Sequence, residues 1–217
     1  MQLFHYHWWT NKVEELENFY ANRGFEVSQR VGRYKGEMQT FNSPLTWEDF
    51  REETIFFRII EMRKGQINVT FGNGKTDRFD HIGFLVDSLE YMEIVKRAVV
   101  HGLLVSEGER RTFISTPWKF RIELQQRNDA VTEDSYPFID AMKIQLPFKT
   151  SHPKGLAELF GWEITQEKKS EIKLESENFA MLFKDAETTL LEAVRFQIED
   201  RRDDVDPVGV GLFAEID

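Results

Sequence analysis

The chain contains no cysteine. That single absence removes disulfides, thiolate nucleophiles and cysteine-ligated zinc. It also fits a reducing compartment, the cytoplasm. No apolar run reaches the roughly 20 residues of a membrane span, and the N terminus lacks the basic-then-apolar layout of a secretory signal. Neither a membrane partner nor export is expected. Positive charge is in deficit, with 28 Lys and Arg against 38 Asp and Glu and a formal charge of -10. A surface that tracks phosphates needs the opposite balance, so nucleic acid is not an expected partner. What the chain does have is aromatic rings: 19 Phe within a hydrophobic fraction of 41%. Over 217 residues that suffices for one large or two small aromatic-rich cores.

The periodicity repeats one plan. LFHYHWWT reads as a strand, and NKVEELENFYANRG as a helix with Asn11 as its cap and Val13, Leu16, Phe19 and Tyr20 on one face. Gly24 ends that helix, FEVSQRVG starts the next strand, and ETIFFRIIEMRKGQINVTFGNG reads as two strands joined at Lys64-Gly65. The plan returns with DHIGFLVDS, a helix LEYMEIVKRAVVHG closed by Gly102, and the strands RRTFIST and KFRIELQQ. A weaker third copy runs from AMKIQLPF through a short helix at Pro153 to Phe160 into GWEITQE, SEIKLES and NFAMLFKD. Strand, helix, then several strands is the mark of a duplicated module. The tail, TTLLEAVRFQIED, the charged turn RRDDVD and GVGLFAEI, is too short for a fourth complete copy. It either completes module three with extra strands or leaves that module to borrow a partner from another chain. The polar segment QRNDAVTEDSYP is the expected linker. It divides residues 1–129, made of modules 1–75 and 76–129, from a third, divergent module with C-terminal strands at 137–217.

In these features the chain resembles the vicinal oxygen chelate superfamily, which includes glyoxalase I, bleomycin-resistance and fosfomycin-resistance proteins and extradiol dioxygenases. HYHWWTNKVEELENFYANRGFEV carries the resemblance in module one, and DHIGFLVDS, the His-Gly at Gly102 and STPWKFRIEL carry it in module two. It implies an α+β fold in which βαβββ modules pair into an open, glyoxalase-like barrel. Carried over residue by residue, it implies one divalent metal (Fe, Mn, Zn or Ni) held by His5, His81 and Glu123. Two imidazoles and a carboxylate on rigid strands leave positions open on such a metal for a substrate with vicinal oxygens. Module one ends in QINVTFGN, with no carboxylate, which resembles the three-ligand sites of the superfamily more than a four-ligand glyoxalase site.

Side chains two apart on a strand share a face, so His5 brings His7 and Trp9 with it, and Glu123 brings Arg121. His7 is a candidate acid or base, Arg121 a candidate catalytic or steering cation, and Trp9 and Trp118 candidate substrate contacts. Each has a plainer reading as lining or core. Gly83 leaves room beside the metal. His101 suits a helix C terminus, and His152 an exposed helix start. Module three offers Met142 and Lys143 where a ligand would stand, so it is expected to add structure, cover the cleft or form a homodimer contact. The leading expectation is a glyoxalase- or dioxygenase-like metalloenzyme acting on a small molecule. The alternative is a metal-free protein that sequesters a planar or cationic ligand in an aromatic cleft.

Overall fold

The computed structural model describes residues 1–132, 136–199, 203–213 and 215–216. The aromatic start is strand β1 (Gln2–Thr10), followed by helix α1 (Val13–Ala21) and strands β2 (Glu26–Tyr34), β3 (Glu37–Thr40), β4 (Phe56–Lys64) and β5 (Ile67–Asn73). The second unit is β6 (Arg78–Leu85), α2 (Ser88–Val100), β7 (Val105–Glu107), β8 (Thr112–Ser115) and β9 (Arg121–Gln125). The third is β10 (Phe138–Leu146), α3 (Lys154–Phe160), β11 (Glu163–Lys168), β12 (Glu171–Glu175) and β13 (Ala180–Asp185). Strand β14 (Leu190–Gln197) and two short strands, β15 (Asp204–Val205) and β16 (Gly211–Leu212), follow. Of the segments read from sequence, residues 133–135 of the linker, Asp200 at the end of TTLLEAVRFQIED, Arg201 and Arg202 of the charged turn, and Ala214 of the last run lie outside the described residues.

Local chemistry explains the helix ends, with one correction. Asn11 does not cap α1: the N-cap position is Lys12, which makes no side-chain cap bond, and Thr10 Oγ1 instead accepts the Lys12 N–H at 3.1 Å. Helix α2 is closed at both ends. Asp87 accepts from the Leu89 and Glu90 N–H groups at 2.8 Å, and Glu90 returns to accept the Asp87 N–H at 2.9 Å. Gly102 then turns the chain at φ +68°.

The first two units form one nine-stranded sheet in the order β3-β2-β4-β5-β1-β6-β9-β8-β7. Residues from near its two ends, Met38 of β3 and Phe113 of β8, line one cavity, so the sheet curls into an open trough. The third unit and the tail form a seven-stranded sheet, β11-β12-β13-β10-β14-β16-β15. Its pairing repeats the first: β10 is parallel to β13 and antiparallel to β14, as β1 is to β5 and β6. Strand β16 runs parallel to β14 as β9 does to β6. The tail thus pairs within this sheet as an abbreviated fourth unit. By this register Ala141 and Ala193 stand where His5 and His81 stand in the first sheet. Neither alanine offers a ligand atom.

Aromatic side chains join the two sheets. Phe84, on the face of β6 opposite Gly83, packs against Phe160, Trp162 and Phe179, and Phe25 meets Phe196. Tyr6 and Tyr20 share a hydrogen bond of 2.8 Å, and the Tyr20 hydroxyl donates to Asp206 of the tail at 2.9 Å. Under β2 lies a buried ion pair: Arg30 donates from Nε and Nη2 to both Glu17 oxygens, at 2.8 and 2.6 Å. Among the described residues no helix is long and apolar enough to cross a membrane.

Candidate metal centre

Strand β1 places His5 and His7 on the cavity side, and cross-strand pairing sets His7 opposite His81 on β6. Their rings stack with centroids 4.9 Å apart and planes 9° from parallel. Two bulges shape the wall. The β1–β6 register slips between Leu3 and His5 and again between His7 and Trp8, which leaves Phe4 and Asp80 as the extra residues. A bulge lets successive side chains share a face, so Phe4 joins His5 and Asp80 joins His81 along the cavity. Gly83 faces His5 across the ladder, where a Cβ would stand 2.8 Å from His5 Cβ and 3.1 Å from its ring. Only glycine leaves that imidazole its place.

Hydrogen bonds fix the two imidazoles in one protonation pattern. His5 Nδ1 lies 3.0 Å from the Asn68 carbonyl and 3.1 Å from Asn68 Oδ1. Asn68 is oriented by donating from Nδ2 to the Ala130 carbonyl at 2.8 Å. Oxygen acceptors on that side make Nδ1–H the donor. His81 Nδ1 likewise donates to Asp80 Oδ2 at 2.8 Å. In the neutral Nδ1–H rings both Nε2 atoms carry lone pairs, and they face each other at 3.0 Å, with Thr70 Oγ1 3.3 Å from His5 Nε2 and Glu123 Oε2 3.3 Å from His81 Nε2. Two lone pairs meeting in a buried site repel one another unless a proton or a metal cation lies between them, and Arg111 Nη1 stands 3.3 Å from the Glu123 oxygen. The spacing fits a metal: ligand atoms about 2.1 Å from a metal and at right angles lie about 3.0 Å apart.

A third imidazole stands within reach. His7 Nδ1 is hydrogen-bonded to Thr70 Oγ1 at 2.7 Å, whereas its Nε2 is buried with no partner. One ligand atom each from His5, His7 and His81 falls within 4.8 Å of the others. Among the described residues the three imidazoles form a cluster that could hold a metal, and Glu123 touches it through His81. All four side chains are at most 4% exposed.

The electrostatics favour a cation as well. Burial lowers His5 to about 4 against the opposing pull of Glu123, and burial with the neighbouring imidazoles pushes His7 well below its usual value. Burial alone would raise Glu123, but a hydrogen bond from His81 when that ring is protonated, with the charges of His5, His81 and Arg111, lowers it to about 2. Asp80, also opposed by burial, is held well below the carboxylate range by His81 and Arg121. At neutral pH His5 and His7 are therefore neutral and Glu123 and Asp80 ionised, the protonation states in which such groups bind metals.

The remaining sequence candidates fall in different places. Trp9 lines the cavity and meets the His7 ring at 4.7 Å. Arg121 lines it too, but its guanidinium is bonded to Asp80 and lies 4.2 Å over Phe113. Its link to His81 runs through Asp80. Trp118 is a correction: it does not line the cavity. Its ring is 3% exposed, stacks on Phe120, and donates from Nε1 to the Ser151 carbonyl at 3.1 Å, in the joint between the sheets. Sequence reasoning missed Asp80 as a partner of His81, together with Asn68 and Thr70. It also missed the wall of the cavity, whose volume is about 650 Å³ and whose lining includes six arginines and four carboxylates.

No protein-family model matches the chain, and no curated protein matches it by sequence. Solved structures do. A mutant 4-hydroxymandelate synthase from Streptomyces coelicolor aligns at TM-score 0.65 and 11% identity, over 92% of this chain and 72% of that one. An extradiol ring-cleaving dioxygenase from B. fuscum aligns at 0.65 and 13%, over 99% and 72%. The 2,3-dioxygenase LapB from Pseudomonas sp. KL28 aligns at 0.61 and 14%, over 97% and 90%. The chain has the vicinal oxygen chelate fold.

Proposed function

We propose that the protein is a metal-dependent enzyme, dioxygenase-like, acting on a small substrate with vicinal oxygens. The observation that carries this reading is the pair of Nε2 lone pairs at 3.0 Å beside the Glu123 carboxylate. His5, His81 and Glu123 would hold one divalent metal, of which Fe, Mn, Zn and Ni are the candidates. When bound, such an ion stabilises charge that develops on adjacent substrate oxygens. The protein's own residues do the rest. Asn68 and Asp80 hold the imidazoles in the ligating tautomer. His7, with Nε2 facing the cavity and no partner, accepts or returns a proton on the bound substrate. Phe4, Trp9 and Phe113 present ring surface to the substrate and exclude water. Shared fold supports the reading without choosing the reaction.

A second reading, sequestration of a small ligand without a metal, is favoured by the size of the cavity and by Trp9 in its wall. The six arginines make a cationic ligand a poor fit. To separate the readings, wild type and His81→Ala would be loaded anaerobically with Fe(II), Mn(II), Ni(II) or Zn(II) and assayed for oxygen uptake on catechols. Isomerisation of hemithioacetals would be assayed in parallel. Turnover with one of these metals, absent in the variant, supports the enzyme. Ligand binding that no metal alters supports sequestration.

A further inference from the structure

Charge is segregated in this molecule. The whole chain carries a formal charge of -10, whereas the cavity wall holds more arginines than carboxylates. Four of the six arginines are engaged: Arg63 with Glu61 at 2.6 Å, Arg111 with Glu123 at 3.3 Å, Arg121 with Asp80, and Arg127 with Asp129. Arg58 and Arg110 have no carboxylate within 4.0 Å among the described residues. Arg58, on β4, instead lies 4.9 Å over the ring of Trp9. That ring is itself fixed. A Cβ on Gly72 would meet it at 2.7 Å, and one on Gly74 would stand 3.0 Å from Trp9 Cβ. Trp9 also touches His7, so a continuous path runs from the imidazole cluster through the indole to an exposed guanidinium whose N–H donors have no anion.

We propose that the substrate carries an anionic group, a carboxylate, phosphonate or phosphate, besides its vicinal oxygens, and that Arg58 on its Trp9 platform receives that group. Arg110, exposed in the same lining, supplies a second such charge. This rests on the metal-centre reading for the placement of the vicinal oxygens. A guanidinium stacked on an aromatic face keeps its planar fork of donors free for an oxyanion and loses little freedom on binding one. An excess of positive charge in a cleft of an otherwise acidic protein concentrates anions there and turns them away elsewhere.

The test is calorimetric titration of the full chain with catechol and with three of its carboxylates, bearing no, one or two methylenes between ring and carboxylate. Wild type, Arg58→Gln and Arg58→Lys would each be titrated after metal loading and after chelator stripping. In the wild type at least one carboxylate is expected to bind about tenfold or more tighter than catechol. Arg58→Gln reduces that preference to within about threefold, and Arg58→Lys restores part of it. A wild type in which no carboxylate exceeds catechol by twofold, or an unchanged preference in Arg58→Gln, overturns the proposal. The two readings fail separately. A carboxylate preference alongside catechol binding that metal does not strengthen keeps the anion site and counts against the metal centre. Metal-dependent catechol binding with no carboxylate preference does the reverse.

Discussion

Asp80→Asn is the most informative single change to the proposed site. Asp80 is 5% exposed and accepts the His81 Nδ1–H at 2.8 Å on Oδ2, the oxygen Arg121 also contacts, while Arg78 lies 3.0 Å from its Oδ1. Its charge keeps the proton on Nδ1 and so keeps the Nε2 lone pair aimed at His5 and Glu123. Asparagine preserves size and one acceptor but removes the charge, so the Nε2–H tautomer, which cannot ligate, becomes accessible. Loss of such a partner to a ligating histidine typically weakens metal affinity by about 10- to 100-fold, or about 1.4 to 3 kcal/mol. The assay is competition against a fluorescent chelator, run with each candidate metal on wild type and variant. Thermal unfolding of both proteins without metal serves as the control. Arg78 and Arg121 are 58% and 39% exposed at their side chains, so water can replace the lost carboxylate and the fold should persist. An affinity within twofold of wild type, with the fold intact, would refute the claim that Asp80 orients a metal ligand.

Four further outcomes are expected. Gly83→Ala should displace His5, lowering metal affinity by at least tenfold while reducing stability by about 1–3 kcal/mol through overpacking; denaturant melts and chelator competition read the two effects. Glu17→Gln leaves Arg30, 5% exposed, without its charge partner and should cost about 3–5 kcal/mol in a urea melt. His7→Gln should retain metal but lose turnover by about 10²-fold or more if His7 moves a proton; loss of bound metal would make it a ligand instead. Metal-free protein should lose stability as pH falls. The His5 imidazole titrates at about 4 in the folded chain against 6.5 when unfolded, so protons bind the unfolded state first. The loss accumulates between pH 6.5 and about 4, reaches about 3 kcal/mol from this group, and should shrink in His5→Gln melts across that range.

The repeated plan was legible because each unit pairs a period-two aromatic strand with a period-3.6 helix, and those signals are local. Two-residue alternation was enough to set His5, His7 and Trp9 on one face of β1. Alternation also predicts that Asp80 and His81 point opposite ways, and here it fails. The bulge at Asp80 turns both into the cavity, and nothing in the string DHIGFL marks a bulge. Trp118 follows Pro117 near the start of β9, so sequence adjacency suggested the site, but its ring turns toward Ser151 in the joint with the third unit. The arginine wall is the clearest case of what a sequence hides. Arg58 and Arg110 lie 52 positions apart in the chain, and the curl of one sheet, not any spacing, brings them to one cavity. The tail's role depended on a pairing between strands, β10 with β14, whose own residues are an ordinary apolar alternation.

The central claim is that His5, His81 and Glu123 hold a metal, and the most direct measurement is elemental analysis of untagged protein purified without added metal, alongside His81→Ala. The account predicts close to one equivalent of a transition metal, or its uptake on titration with Fe(II), Mn(II), Ni(II) or Zn(II), and loss of that binding in the variant. A wild type that carries no metal and takes up none of the four, or a variant that binds as tightly as wild type, would contradict it.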